Sequence, residues 1–202
     1  VAEERDDIDA DFLDLVASMD ADPSTAVDEP LHLEGGSLSV ALVLAPIPSA
    51  EALHALLSLS GYSLDIVRMR PWSAVWIQVQ TAATDEDEFA SLLAEERDMP
   101  EIVDEVARAV SRLSKYGSVA VMSWLVEGEG AEVGVSGQLT ARRYVGGEPE
   151  DAIPAGVLLG CIPEAAEDLL LGRTLPTDYD DSVASDGTTR RPRGPLGWFR
   201  RK

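Results

Sequence analysis

Residues 37–61 read SLSVALVLAPIPSAEALHALLSLSG, and this stretch decides the fold. Leu38, Val40, Leu42 and Leu44 alternate with the smaller Ser39, Ala41, Val43 and Ala45. That pattern predicts a strand covered on at least one face. Pro46 and Pro48 lack the N–H that a ladder needs and stop it. Ser49 then offers a hydroxyl to the first turn of a helix. Ala50, Leu53, Leu56 and Leu57 recur at helical spacing, facing inward, until Gly61 ends the run.

Downstream, residues 63–70 and 74–81 predict two strands around a Pro71-Trp72-Ser73 turn. Val75, Ile77 and Val79 share one face of the second, with Trp76, Gln78 and Gln80 on the other. Thr84, followed by Asp85, Glu86, Asp87 and Glu88, opens a helix carrying Phe89, Leu92 and Leu93. Pro100 opens a stronger one, whose stripe of Ile102, Val103, Val106, Ala109, Val110 and Leu113 runs to Gly117. Strands over 118–127 and 133–145 follow, joined by an EGEGAE turn, with Val133, Val135, Leu139 and Val145 in phase. After a Gly-rich connection, Pro163 to Leu171 reads as a short helix.

The order β-α-β-β-α-β-β resembles the split β-α-β-β-α-β plan, in which two helices cover one face of an antiparallel sheet. The expectation is an α+β, ferredoxin-like sandwich over 37–145 with one extra antiparallel strand. Residues 1–36 read as an acidic arm with a short amphipathic helix and a linker. Residues 146–176 read as a connection and the short helix. Residues 177–202 read as a disordered tail ending in a basic aromatic segment, so both ends are expected to be flexible arms.

Charge divides the chain in the same way. Residues 1–35 hold twelve acids and one Arg, while 187–202 hold six basic residues and no acid. The 25 acids and nine basic residues of 36–186 leave −16 of the formal −21 on the body. Nucleic acid and anionic membranes both need a positive face, which this body does not offer. Two Lys against fourteen Arg also fit a GC-rich coding bias or a high-salt cytoplasm as the origin of the acidity. No apolar run approaches the length of a membrane span. The acidic N-terminus is the reverse of a secretory signal, which points to the cytoplasm.

Residues with chemistry to offer are sparse. Cys161 is the only cysteine, which excludes an intrachain disulfide, and beside Gly160 and Ile162 it is expected to act as a small apolar residue. With His32 and His54 as the only histidines, no Cys/His zinc site can be assembled. His54 adjoins the first helix's core stripe and is expected to be structural; His32 is expected to be solvated in the linker. Asp178, Asp180 and Asp181 around Tyr179 lack the ligand spacing and central Gly of a calcium loop. Gly128, Gly130 and Gly134 fall in a hairpin, not in a strand-to-helix phosphate turn. Arg142 and Arg143 adjoin on a strand and face opposite sides, one to pair with an acid and one to be exposed. No catalytic, metal or cofactor-binding residue is assigned, and the reading leans away from an enzyme.

The arms are the better lead. Ile8, Phe12, Leu15 and Val16 form one apolar stripe of an acidic segment about three turns long, too short to hold alone. Such a segment anchors in a groove or packs on its own domain. Arg190, Arg191, Arg193, Arg200, Arg201 and Lys202 flank Trp198 and Phe199. That combination suits an acidic protein groove first, and a membrane surface or nucleic acid only through this tail. The expected function is a non-enzymatic interaction or adaptor protein with a protein partner. The alternative is a small-ligand-binding or enzymatic domain, its site on an open sheet face or dimer seam near Trp76, Gln78 and Trp124. Those rings would equally serve a homo-oligomer interface.

Overall fold

The computed structural model describes residues 37–79, 97–127 and 135–190, all within one compact unit, Leu31–Lys202. The predicted helices at 6–19 and 84–93 and the turn after Glu127 lie outside the described residues. The domain is α+β. In chain order it comprises β1 (Ser37–Ala45), α1 (Ala50–Leu59), β2 (Asp65–Met69), β3 (Trp72–Gln78), α2 (Glu101–Leu113), β4 (Ser118–Glu127), β5 (Val135–Val145), β6 (Glu148–Ala152), α3 (Ala155–Leu159) and α4 (Glu164–Leu170). A 3-10 turn, Pro176–Asp178, follows. The six strands form one open sheet in the order β2-β3-β1-β4-β5-β6, each neighbouring pair antiparallel.

The residue alternation of β1 places it at the centre of this sheet. Ala41 lies opposite Ile77 on one side and Met122 on the other; Val43 lies opposite Val75 and Ala120. These odd residues join Leu53 and Leu57 of α1 and Val103, Val106 and Val110 of α2 in one core. The even residues Leu42 and Leu44 point to the opposite face, packing with Val67, Val121 and Ala141 against Leu158, Ala166, Leu169 and Leu170. A strand buried on both faces needs apolar side chains at both parities, and β1 has them.

The C-terminal part of the chain is therefore a third layer. The apolar pattern predicts a core ending at Val145, but the sheet continues into β6, while α3 and α4 cover the face expected to be open. A tail was also expected from residue 177, yet Ser182 and Val183 are buried. Val183 exchanges backbone hydrogen bonds with Ile66, both 2.8 Å, and so extends pairing beyond the β2 edge. One buried valine with two ladder bonds fixes a segment whose composition is otherwise that of a loop.

Helix phases also differ from expectation. Ser49 caps α1 as predicted, its Oγ accepting from Ala52 N at 3.1 Å, but Leu56 faces outward rather than inward. In α2 the buried set is Val103, Val106, Ala107, Val110 and Ser111, while Ile102 and Leu113 are exposed. The helix presents its small residues to the sheet because it lies close to it: Ser118 Oγ donates to Ala107 O at 2.9 Å.

Candidate interaction surfaces

The densest polar network joins α2 to the β5–β6 turn. Asp104 and Arg108 are four residues apart and so share a helix face. Asp104 Oδ2 accepts from Arg108 Nε at 2.6 Å, and Oδ1 accepts from Tyr144 OH at 2.8 Å. Arg108 Nη1 also donates to Gly147 O at 3.1 Å, and Glu148 lies 3.7 Å from it. Ser111 Oγ donates to Arg108 O and accepts from Gly147 N. Burial pushes the Asp104 carboxyl up, but the hydrogen bonds from Arg108 and Tyr144 and the nearby guanidinium charges outweigh it and hold it below its ordinary value. Burial, then the Asp104 bond and charge, push the Tyr144 phenol well up. At neutral pH the pair is one carboxylate and one neutral phenol, which makes a clamp and leaves no proton to exchange near pH 7.

Around this clamp the surface changes character. Leu113 is 42% exposed, Tyr116 68% and Val145 37%. Leu113 and Tyr116 lie at the turn from α2 into β4, and Val145 Cγ2 lies 3.1 Å from where a Gly117 Cβ would stand. Lys115 Nζ sits 5.7 Å from the centre of the Tyr116 ring. The Arg112 guanidinium occupies the space a side chain at Gly147 would fill.

A second apolar surface is the outer face of α1. Ala52, Ala55, Leu56 and Leu59 are exposed and follow the i, i+3, i+4, i+7 spacing of a single stripe. Leu59 is 86% exposed. On another side of α1 a hairpin over 181–190 is clipped to the domain. Ala184 N donates to Thr188 O, Asp181 N to Arg190 O, and Arg190 N to Ser182 O at 2.7 Å. Arg190 Nη2 donates to Asp65 at 2.9 Å, and its Nη1 to Ser182 Oγ at 3.2 Å. His54 Nε2 stands 3.2 Å from Ser185 O and Nδ1 3.4 Å from Ser58 Oγ. The histidine thus ties α1 to the hairpin, a structural role in keeping with its place beside the core stripe.

Of the residues expected to bind partners, Arg190 belongs to this clip and is engaged within the domain. Ile8, Phe12, Leu15, Val16, Arg191, Arg193, Trp198, Phe199, Arg200, Arg201 and Lys202 lie outside the described residues. The grouping of Trp76, Gln78 and Trp124 is overturned. Trp76 and Gln78 pair with Leu42 and Val40, whereas Trp124 pairs with Ser39, so Trp124 lies on the opposite face from the other two. Trp124 is buried in the helix-side core with the Arg97 guanidinium 5.3 Å from its ring centre. Cys161 is exposed and free, not packed as a small apolar residue. Arg143 pairs with Glu150 at 3.4 Å, while Arg142 lies on the other face near Asp104.

Among the described residues no group of three or more His, Cys, Asp or Glu is placed to hold a metal ion, and no helix is long and apolar enough to cross a membrane. The clamp at Asp104 and the clip at Arg190 were not singled out from the sequence; only the i, i+4 spacing of Asp104 and Arg108 signalled the first. Compared with protein-family models, curated proteins and solved structures, the chain matches none.

Proposed function

We propose that this is a non-enzymatic interaction protein whose domain presents the α1 stripe and, separately, anchors the start of a basic, aromatic C-terminal segment. The 181–190 clip carries this reading. It fixes Arg190 against Asp65 at the β2 edge, with the hairpin's Ser185 against His54 of α1. The residues that follow in the chain, Arg191, Arg193, Trp198, Phe199, Arg200, Arg201 and Lys202, carry the basic and aromatic character. Basic residues flanking aromatic anchors suit an acidic protein groove, and the apolar face of α1 offers a further contact. Ile8, Phe12, Leu15 and Val16 would anchor a second arm. The strand order β2-β3-β1-β4, with α1 and α2 on one face, supports taking the first six described elements as a ferredoxin-like unit to which β5, β6, α3 and α4 are added.

Truncation tests the reading, and the clip dictates where to cut. A chain ending at Arg190 is expected to keep its melting temperature within about 1 °C and to lose the partners that the full chain captures in pull-down. A chain ending at Asp186 loses the Thr188 and Arg190 contacts, at a cost of about 2 kcal/mol, or roughly 4–8 °C. Leu59→Asp is expected to weaken capture about tenfold with an unchanged melting temperature, because the side chain is exposed. Full capture by the chain ending at Arg190 would end the proposal.

A further inference from the structure

We infer that the C-terminal end of α2 and the turn after it form a second, independent docking surface for an acidic peptide segment of a partner protein carrying an apolar anchor. The chain has 37 acids for 16 basic residues, so a cluster of cations is out of the ordinary. Yet Arg112 and Lys115, which make no ion pair among the described residues, lie on the same stretch of the domain as Arg108 and Arg142 beside Asp104. Four of the nine basic residues of 36–186 are thus concentrated on α2, its following turn and the adjacent strand.

The same place exposes Leu113 and Tyr116. Tyr and Arg are the side chains that most often dominate protein interfaces, because they offer broad area and forked donors. An apolar side chain of the partner would rest against Leu113 and Tyr116. Its neighbouring carboxylates would meet Arg112 and Lys115. The Asp104–Tyr144–Arg108 clamp beneath holds α2 against β5, so the backbone that carries these side chains is already fixed.

Charge also limits the length of the partner. Immediately beyond Gly147, β6 exposes Glu148, Glu150 and Asp151. A nucleic acid tracking across the surface would carry its phosphates onto these carboxylates, whereas a short acidic peptide ends before them. The apolar surface of Leu113 also has no use for a phosphodiester chain.

The test uses the full chain and a fluorescein-labelled peptide of about ten residues, all Asp and Glu except one central Phe. Anisotropy is expected to report binding that weakens as salt rises. Arg112→Glu combined with Lys115→Glu should weaken it at least tenfold, and Tyr116→Ala about tenfold. Leu59→Asp should leave it unchanged, which separates this surface from the α1 stripe and its fate from that of the function proposed above. All these side chains are exposed, and unchanged melting curves will show that the variants fold. Replacing the Phe with Ala, or the acids with Lys, should abolish binding. The inference falls if the acidic peptide does not bind, or binds the double variant undiminished. It falls equally if a single-stranded oligonucleotide binds this surface more tightly, or if the surface is occupied by a second copy in a concentration-dependent dimer.

Discussion

Gly117→Ala is expected to destabilise the domain by about 3 kcal/mol and to lower its melting temperature by roughly 6–12 °C. Between Leu113, the last residue of α2, and Ser118, the first of β4, the chain must reverse in four residues. Gly117 does so at φ +79°, with its N–H donating to Ser114 O at 3.1 Å. An L-residue there carries about 1–2 kcal/mol of left-handed strain. The added Cβ would also run into the carbonyl oxygen of Tyr144, a backbone atom of a paired strand that cannot swing aside. Displacing β5 costs a further 1–2 kcal/mol or so and disturbs the strand that carries the Tyr144 phenol. Gly61 supplies the control. Its φ is +90° but nothing lies within 4 Å of its Cβ position. Gly61→Ala should cost only the conformational part, about 1 kcal/mol. Equal losses in the two variants, read by thermal melts, would show that the close approach to Tyr144 carries no weight.

The elements that were legible in the sequence had local punctuation. Pro46, Pro48 and Ser49 separate β1 from α1 without ambiguity, and both begin and end close to where the residues indicate. The α4 helix follows Pro163 for the same reason. Illegible elements lacked an apolar pattern. β6 is EPEDA, exposed at all five positions, and it pairs only because the Gly146–Gly147 turn returns the chain alongside β5. Proline and carboxylates on such a strand discourage a further strand from adding to the edge. Size misled in α2. Ile102 and Leu113 look like core residues, yet close contact with β4 and the β5–β6 turn demands Ala107 and Ser111. The clip over 181–190 was misread as tail because its anchors are one valine, one ion pair and backbone bonds that composition does not report. The basic and aromatic character of the last residues was legible; where that segment leaves the domain was not.

Removing the carboxylate of Asp104 should be as damaging as the strain at Gly117, and its cost should depend on pH. Asp104→Ala leaves the buried Tyr144 hydroxyl without its acceptor and Arg108 without its shortest partner, a loss of about 3 kcal/mol at pH 7. Because the folded state holds this carboxyl below the ordinary value near 4, the unfolded chain takes up the proton first as pH falls. The stabilisation is therefore complete above the unfolded value and is lost as pH drops through the folded one. Tyr144 has the opposite sign. Its folded value is raised, so its contribution is complete below about pH 10 and declines as pH rises beyond that. Melting temperatures of the native protein and Asp104→Asn should differ most at neutral pH and converge below about pH 3. Tyr144→Phe should flatten the alkaline side while also costing about 1 kcal/mol at pH 7 through the lost bond. A gap between the native protein and Asp104→Asn that stays constant from pH 7 to pH 2.5 would mean that the carboxylate's charge does not hold α2 to β5.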